Sequence, residues 1–176
     1  ISNITYMKSI KYFLQFLIIL ILFIFFKVLG LKFASYISGK IISSIGPFFR
    51  SKNLIKSNIL KALPNSSENK VNEISKMMWN NYGRILAEYM FIRKFRMSAV
   101  KGTIKIVGQE KIDAIKESNE PVIFISGHFN NFELMAMHLE KSGVNLAAIY
   151  RPLNNKFLNF IMERIRKKYI CKNQIK

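Results

Sequence analysis

The run YFLQFLIILILFIFF, residues 12 to 26, holds no charged side chain and neither glycine nor proline. A segment of that kind must be covered on every side by protein or must leave water altogether. Continued through Lys27 to Val28–Leu31, it reaches about 20 residues, enough for a helix to cross a hydrocarbon layer ~30 Å thick. The lysine near its end can extend its ammonium to the headgroups. A small-residue cleavage pattern is missing and the apolar run is long for the core of a signal peptide. The expectation is therefore a retained membrane helix, with a buried core helix or re-entrant hairpin as the alternative. Lys8 and Lys11 precede the segment, whereas Lys27, Lys32, Lys40, Arg50, Lys52 and Lys56 follow it. That excess puts the C-terminal side in the cytoplasm.

The membrane segment also decides how the formal charge of +18 is read. A basic surface suits any polyanion, but next to a bilayer the nearest polyanion is the lipid headgroup layer. The chain carries no recognition helix, zinc finger or RNA-binding signature, so nucleic acid is not an expected partner. A solvated basic face in a Lys-, Asn- and Ile-rich composition accounts for part of the charge. Cys171 is the single cysteine, which excludes an internal disulfide and a cysteine metal cluster, and it is read as inert. No metal site is expected. Because the chain starts at Ile1 and not at Met, it is expected to be a piece whose beginning lies elsewhere.

Beyond the apolar run, KFASYISGKIISSIGPFF continues a helical pattern until Gly46 and Pro47 break it, as a membrane-proximal amphipathic helix would. RSKNLIKSNILKALP spaces Leu54, Ile55, Ile59, Leu60 and Leu63 for a helix that Pro64 ends. Asn65, Ser66 and Ser67 offer turn and cap chemistry for a longer helix. Its stripe of Val71, Ile74, Met77, Met78, Tyr82, Ile85, Leu86, Tyr89 and Met90 reads as core. From about Met97 the character changes. GTIKIVGQE, with Ile104 and Ile106 alternating, reads as a half-buried strand, EKIDAIKESNE as a short helix and PVIFIS as a buried strand. A helix from about Asn131 to Lys141 and a strand NLAAIY, 145 to 150, follow. The terminal run IMERIRKKYICKNQIK reads as a basic helix. The fold class expected is α/β: an N-terminal membrane helix and helical region, residues 1–46, then residues 47–176 as the start of an α/β sheet domain.

In open α/β sheets the reactive groups gather at the carboxyl ends of strands. GHFNNFE follows PVIFIS directly, so His128 falls at such an end and Glu133, five residues on, in the first turns of the next helix. A carboxylate that fixes an imidazole's tautomer and stabilises its imidazolium makes the ring a better general base. The stretch supplies no nucleophile: Ser126 is not in a nucleophile elbow and Cys171 is remote. The pair therefore suits activation of a hydroxyl brought by a substrate. Taken alone the spacing is a weak signal, and Phe129 and Phe132 fit a packing turn equally well. Asn130 and Asn131 shape the turn or cap the helix, and His138 reads as an ordinary helix-surface or core histidine.

Taken together, GHFNNFE, YRPLNNKFLN, IKIVGQEKI and the stretch from SKNLIKSNIL to AEYMFI resemble the bacterial lipid A biosynthesis (late) acyltransferases, in order over nearly the whole chain. The resemblance implies transfer of a fatty acyl chain from acyl carrier protein to a hydroxyacyl group of a lipid A precursor, at the bacterial inner membrane with the catalytic part cytoplasmic. It implies no cofactor. By the same resemblance His128, Glu133 and Arg166 are catalytic, while Arg151, Arg164 and Asn131 bind substrate; for Arg164 and Arg166 a solvated basic helix face is the alternative. The resemblance also implies about a hundred further residues beyond Lys176. Two other readings stand beside it: a glycerolipid acyltransferase, against which Glu133 and the YRPLNN block count, and a non-catalytic basic lipid-binding protein.

Overall fold

The computed structural model describes residues 2–98, 102 and 104–176, with side chains from residue 6 onward. Two compact units divide the chain: Phe23–Phe91, and a second made of Ile1–Leu22 with Ile92–Lys176. The first helix, α1 (Ser2–Ile45), contributes to both. It contains a segment long and apolar enough to cross a membrane. Its backbone leaves helical geometry at Gly30, with φ 75° and ψ 165°, a conformation open to glycine and costly for a residue with a Cβ.

In the Phe23–Phe91 unit, α1 is followed by a 3₁₀ turn at Gly46–Phe48, then α2 (Lys52–Ala62) and α3 (Glu68–Glu88). Ser51 and Ser67 cap α2 and α3, accepting from the backbone N–H of Leu54 and Lys70 at 3.4 and 3.3 Å, the cap chemistry expected from Ser67. Small residues on α1 let α3 approach closely. Ala34, Ser35 and Ser38 are buried; the Ser38 hydroxyl donates to the Gly83 carbonyl at 2.6 Å. A Cβ at Gly83 would lie 2.3 Å from the Ser38 carbonyl oxygen. At Gly46 a Cβ would meet the Trp79 ring at 2.4 Å. The hydrophobic stripe expected on α3 is only partly core. Val71 and Tyr89 are buried, but Met77 and Tyr82 face outward, because the side of α3 against α1 is formed by Gly83 and Ala87 instead.

The second unit holds α4 (Ile92–Arg96), α5 (Gln109–Ser118), α6 (Glu133–Lys141), β1 (Ala147–Ile149), α7 (Lys156–Tyr169) and β2 (Asn173–Ile175). Ile92 and Phe95 on α4, Met137 and Leu139 on α6, and Ile170 and Cys171 after α7 are buried. Full burial of such a side chain contributes about 1.5–3 kcal/mol. Arg96 ties these helices together by pairing with Glu140 at 2.5 Å and donating to the Tyr169 carbonyl at 3.2 Å. At the start of α7, Asn155 accepts from the N–H groups of Phe157 and Leu158 and donates to the Tyr12 carbonyl at 2.8 Å. Phe157 then packs edge-on against Phe13, with centroids 5.5 Å apart.

The sheet is smaller than expected. Among the described residues β1 and β2 make a two-stranded parallel pair, Ala147 opposite Asn173 and Ile149 opposite Ile175, joined through α7. NLAAIY thus supplies a strand, trimmed to Ala147–Ile149. PVIFIS does not: it forms neither helix nor strand, and Ile123 and Ile125 are 88% and 92% exposed. A strand exists only where a neighbour accepts its hydrogen bonds, and among the described residues the one strand pairing is between β1 and β2. Ile104 and Ile106 likewise lie outside any strand; Lys101 and Thr103 of the same expected element lie outside the described residues. The basic C-terminal run is not one helix, for α7 stops at Tyr169 and the chain turns into β2. The architecture is predominantly helical with a small parallel sheet, and of the expected α/β sheet domain the described residues show this one parallel pair joined through a helix.

Candidate functional site

The segment that carries His128 is a tight, irregular turn leading into α6. Asn130 has φ 46°, a left-handed conformation that asparagine tolerates better than most residues. At Gly127 a Cβ would meet the Phe129 ring at 2.5 Å. Phe132 donates its N–H to the Asn130 carbonyl at 3.1 Å, and the Asn131 carbonyl accepts from Leu134 at the same distance. Asn131 therefore shapes the helix start through its backbone.

His128 is exposed, and its ring meets Phe132 edge-on with centroids 4.3 Å apart. Glu133, the first residue of α6, is buried. Its Oε1 accepts from Arg166 Nε at 2.8 Å and from Nη2 at 2.5 Å. The electrostatics of both helices favour this pairing, since a carboxylate suits the first turn of α6 and a guanidinium the last turn of α7. A two-point contact of this kind restrains an arginine in a way a single bond does not. Arg166 also lies 5.6 Å from the Tyr150 ring centroid.

The structure thus joins two of the six expected site residues, Glu133 and Arg166, and sets His128 at the surface near the start of α6 through Phe132. The other two arginines stand apart from this pair. Arg151, just after β1, is exposed. Arg164 is exposed and lies over the Phe160 ring, 5.2 Å from the centroid. His138 is half-buried, with Nε2 2.7 Å from Gln109 Oε1. Cys171 is buried, its thiol directed at the Leu146 and Asn173 carbonyls, and burial raises its pKa; both facts fit an inert cysteine. Among the described residues no group of three or more His, Cys, Asp or Glu has the arrangement to hold a metal ion.

Sequence reasoning missed a second polar cluster. Glu163 Oε1 accepts from the Tyr150 hydroxyl at 2.5 Å and from Asn159 Nδ2 at 2.8 Å, with Lys176 Nζ at 3.1 Å. The Tyr150 hydrogen bond leads the causes that pull the Glu163 carboxyl down to about 2. The Tyr150 phenol is pushed up, first by desolvation and then by Glu163. The spacing of Asn159 and Glu163 on one helix was visible, but Tyr150 and Lys176 reach them only because β1 and β2 pair.

No curated protein and no solved structure matches the chain. The family model for the bacterial lipid A biosynthesis acyltransferases matches residues 4–172. That span takes in α1, the GHFNNFE turn, the buried Glu133–Arg166 pair and the YRPLNN segment, so the chain belongs to the bacterial lipid A biosynthesis acyltransferase family.

Proposed function

We propose that the protein moves a fatty acyl chain from acyl carrier protein to a hydroxyacyl group of a lipid A precursor, at the cytoplasmic face of the bacterial inner membrane. The observation that carries the reading is the buried Glu133–Arg166 pair at the start of the helix that follows His128. A carboxylate buried beside the turn that bears an exposed imidazole is suited to hold that imidazole when substrate closes over it. Arg166 supplies the counter-charge that such a buried carboxylate requires.

In the reaction the acceptor hydroxyl attacks the thioester carbonyl while His128 removes its proton. The tetrahedral intermediate collapses, the C–S bond breaks, and the thiolate leaves and takes the proton back from the imidazolium. The new C–O bond is the ester. Glu133 fixes the tautomer of His128 and stabilises the imidazolium. The exposed Arg151 meets a phosphate of the acceptor, and Asn131 keeps the turn in register with it. The basic surface suits an acidic carrier protein, and α1 anchors the chain so that a lipid acceptor arrives by lateral diffusion.

The test uses the protein expressed in membranes, given acyl carrier protein loaded with a labelled chain and the lipid A precursor, beside a His128→Ala variant. Label in the precursor that disappears in the variant is the expected result. Label transferred to lysophospholipid instead, or to neither acceptor, would overturn the reading.

A further inference from the structure

Arg164 and Arg166 lie two residues apart on α7, about 200° around a helix of 3.6 residues per turn, and their side chains part accordingly. Arg166 turns inward to Glu133, whereas Arg164 stays exposed over Phe160. Lys156, in the first turn of α7, lies 5.4 Å from the Phe157 ring centroid. Both cations border an open hollow of about 550 Å³ whose remaining lining is Phe16, Phe157, Phe160 and Ile161. Phe16 belongs to α1, and its ring packs 5.9 Å from that of Phe157. The hollow therefore opens beside the apolar surface of the helix that is long enough to cross a bilayer. Asn155 fixes its geometry by holding the start of α7 to the Tyr12 carbonyl.

We propose that this hollow holds one anionic phospholipid of the bilayer, with an acyl chain on the phenylalanines and its phosphate between Lys156 and Arg164. The hollow has the size of a ligand site and the composition of one, apolar with few convergent polar groups. Its ionisable lining is entirely cationic, and the acid nearest Arg164 in sequence, Glu163, is engaged by Tyr150, Asn159 and Lys176. Phe160 is 60% exposed, an arrangement that water penalises and an acyl chain relieves. Lys156 and Arg164 hold their charged groups over the Phe157 and Phe160 rings, where long basic side chains can serve a lipid phosphate while their stems stay apolar. The site is distinct from the Glu133–Arg166 pair.

The proposal rests on the membrane reading of α1, which is checked separately by alkaline carbonate extraction: release of the protein would refute that reading regardless of any lipid. The lipid itself is tested by native mass spectrometry of the detergent-solubilised protein titrated with palmitoyl-oleoyl phosphatidylglycerol, with the phosphatidylcholine of the same chains as comparison. One tightly held phosphatidylglycerol is expected. Its affinity should fall about 30-fold in Lys156→Gln/Arg164→Gln, the sum of two basic contacts near a lipid surface. Lys167→Gln/Lys168→Gln, which removes the same charge from the same helix, should leave it unchanged, and Lys156→Arg/Arg164→Lys should retain it. Equal losses in the two neutralised pairs, or equal binding of both lipids, would overturn the proposal. Acyl transfer by His128→Ala plays no part in this readout, so the lipid site and the catalytic reading fail independently.

Discussion

Arg166 reaches Glu133 across 33 residues of sequence and closes on a single carboxylate oxygen with two nitrogens. Both side chains are largely buried. Removing one partner strands the other, which typically costs about 3–5 kcal/mol. Arg166→Ala should lower the thermal unfolding midpoint in detergent, and Arg166→Met paired with Glu133→Gln should recover much of the loss. Full additivity of the two single changes would count against a coupled pair.

His128 presents the opposite combination. It is exposed and meets Phe132 edge-on, so His128→Ala should change stability by less than about 0.5 kcal/mol. Acyl transfer should fall by a factor on the order of 10² or more. Thermal unfolding and a transfer assay on the same preparation separate the two effects; a variant with full activity would remove His128 from the chemistry.

Gly83 is set by contact rather than by backbone freedom. Alanine there would press its Cβ on the Ser38 carbonyl, 2.3 Å away, and on Ile42 Cβ at 2.8 Å. Overpacking of this kind costs about 1–3 kcal/mol. Denaturant unfolding of Gly83→Ala should show at least that loss, whereas Gly102→Ala, with open space around its Cβ, should show only the strain of its positive φ.

Glu163 titrates at about 2 in the folded chain, held down by Tyr150, Lys176 and Asn159. Its folded pKa lies below its ordinary value of 4.5. The stabilisation is therefore present above pH 4.5 and fades as the pH falls through about 2. Tyr150→Phe removes the leading cause, so Glu163 should protonate at a higher pH and acid unfolding should begin earlier. Circular dichroism between those limits, with Glu163→Gln as reference, reads the shift; coincident acid transitions for wild type and Tyr150→Phe would refute it.

Asn155 does two separable things. Its Oδ1 caps α7 and its Nδ2 donates to Tyr12. Asn155→Asp should keep the cap and lose the tie, while Asn155→Ala loses both. The alanine variant should be the less stable by about 1 kcal/mol, the worth of a cap, measured by thermal unfolding.

What the sequence disclosed was mostly local. Ser67 as a cap, Pro64 as a stop and the helix that starts at Glu133 depend on neighbours within a turn, and those neighbours are in the text. PVIFIS shows the limit. Its apolar run is the composition of a buried strand, but a strand needs a partner that no single segment encodes, and Ile123 and Ile125 stand exposed. The site divides in the same way. His128 and Glu133 drew attention by spacing, yet the contact observed for Glu133 is with Arg166, from a helix beyond β1. Tyr150 and Lys176 came together with Glu163 only through parallel strand pairing.

The departure from helical geometry at Gly30 carries a consequence for depth. Where φ is 75° and ψ 165°, the regular ladder of α1 is interrupted, and backbone groups near the break need another source of hydrogen bonds. Hydrocarbon offers none, at a cost of several kcal/mol for each group left bare. With α1 across a bilayer, Gly30 therefore belongs at the level where water begins, and Lys27 and Lys32 on either side of it mark the same horizon. A spin label walked along residues 20 to 36 would register that horizon as the point where oxygen accessibility gives way to accessibility to a water-soluble relaxant.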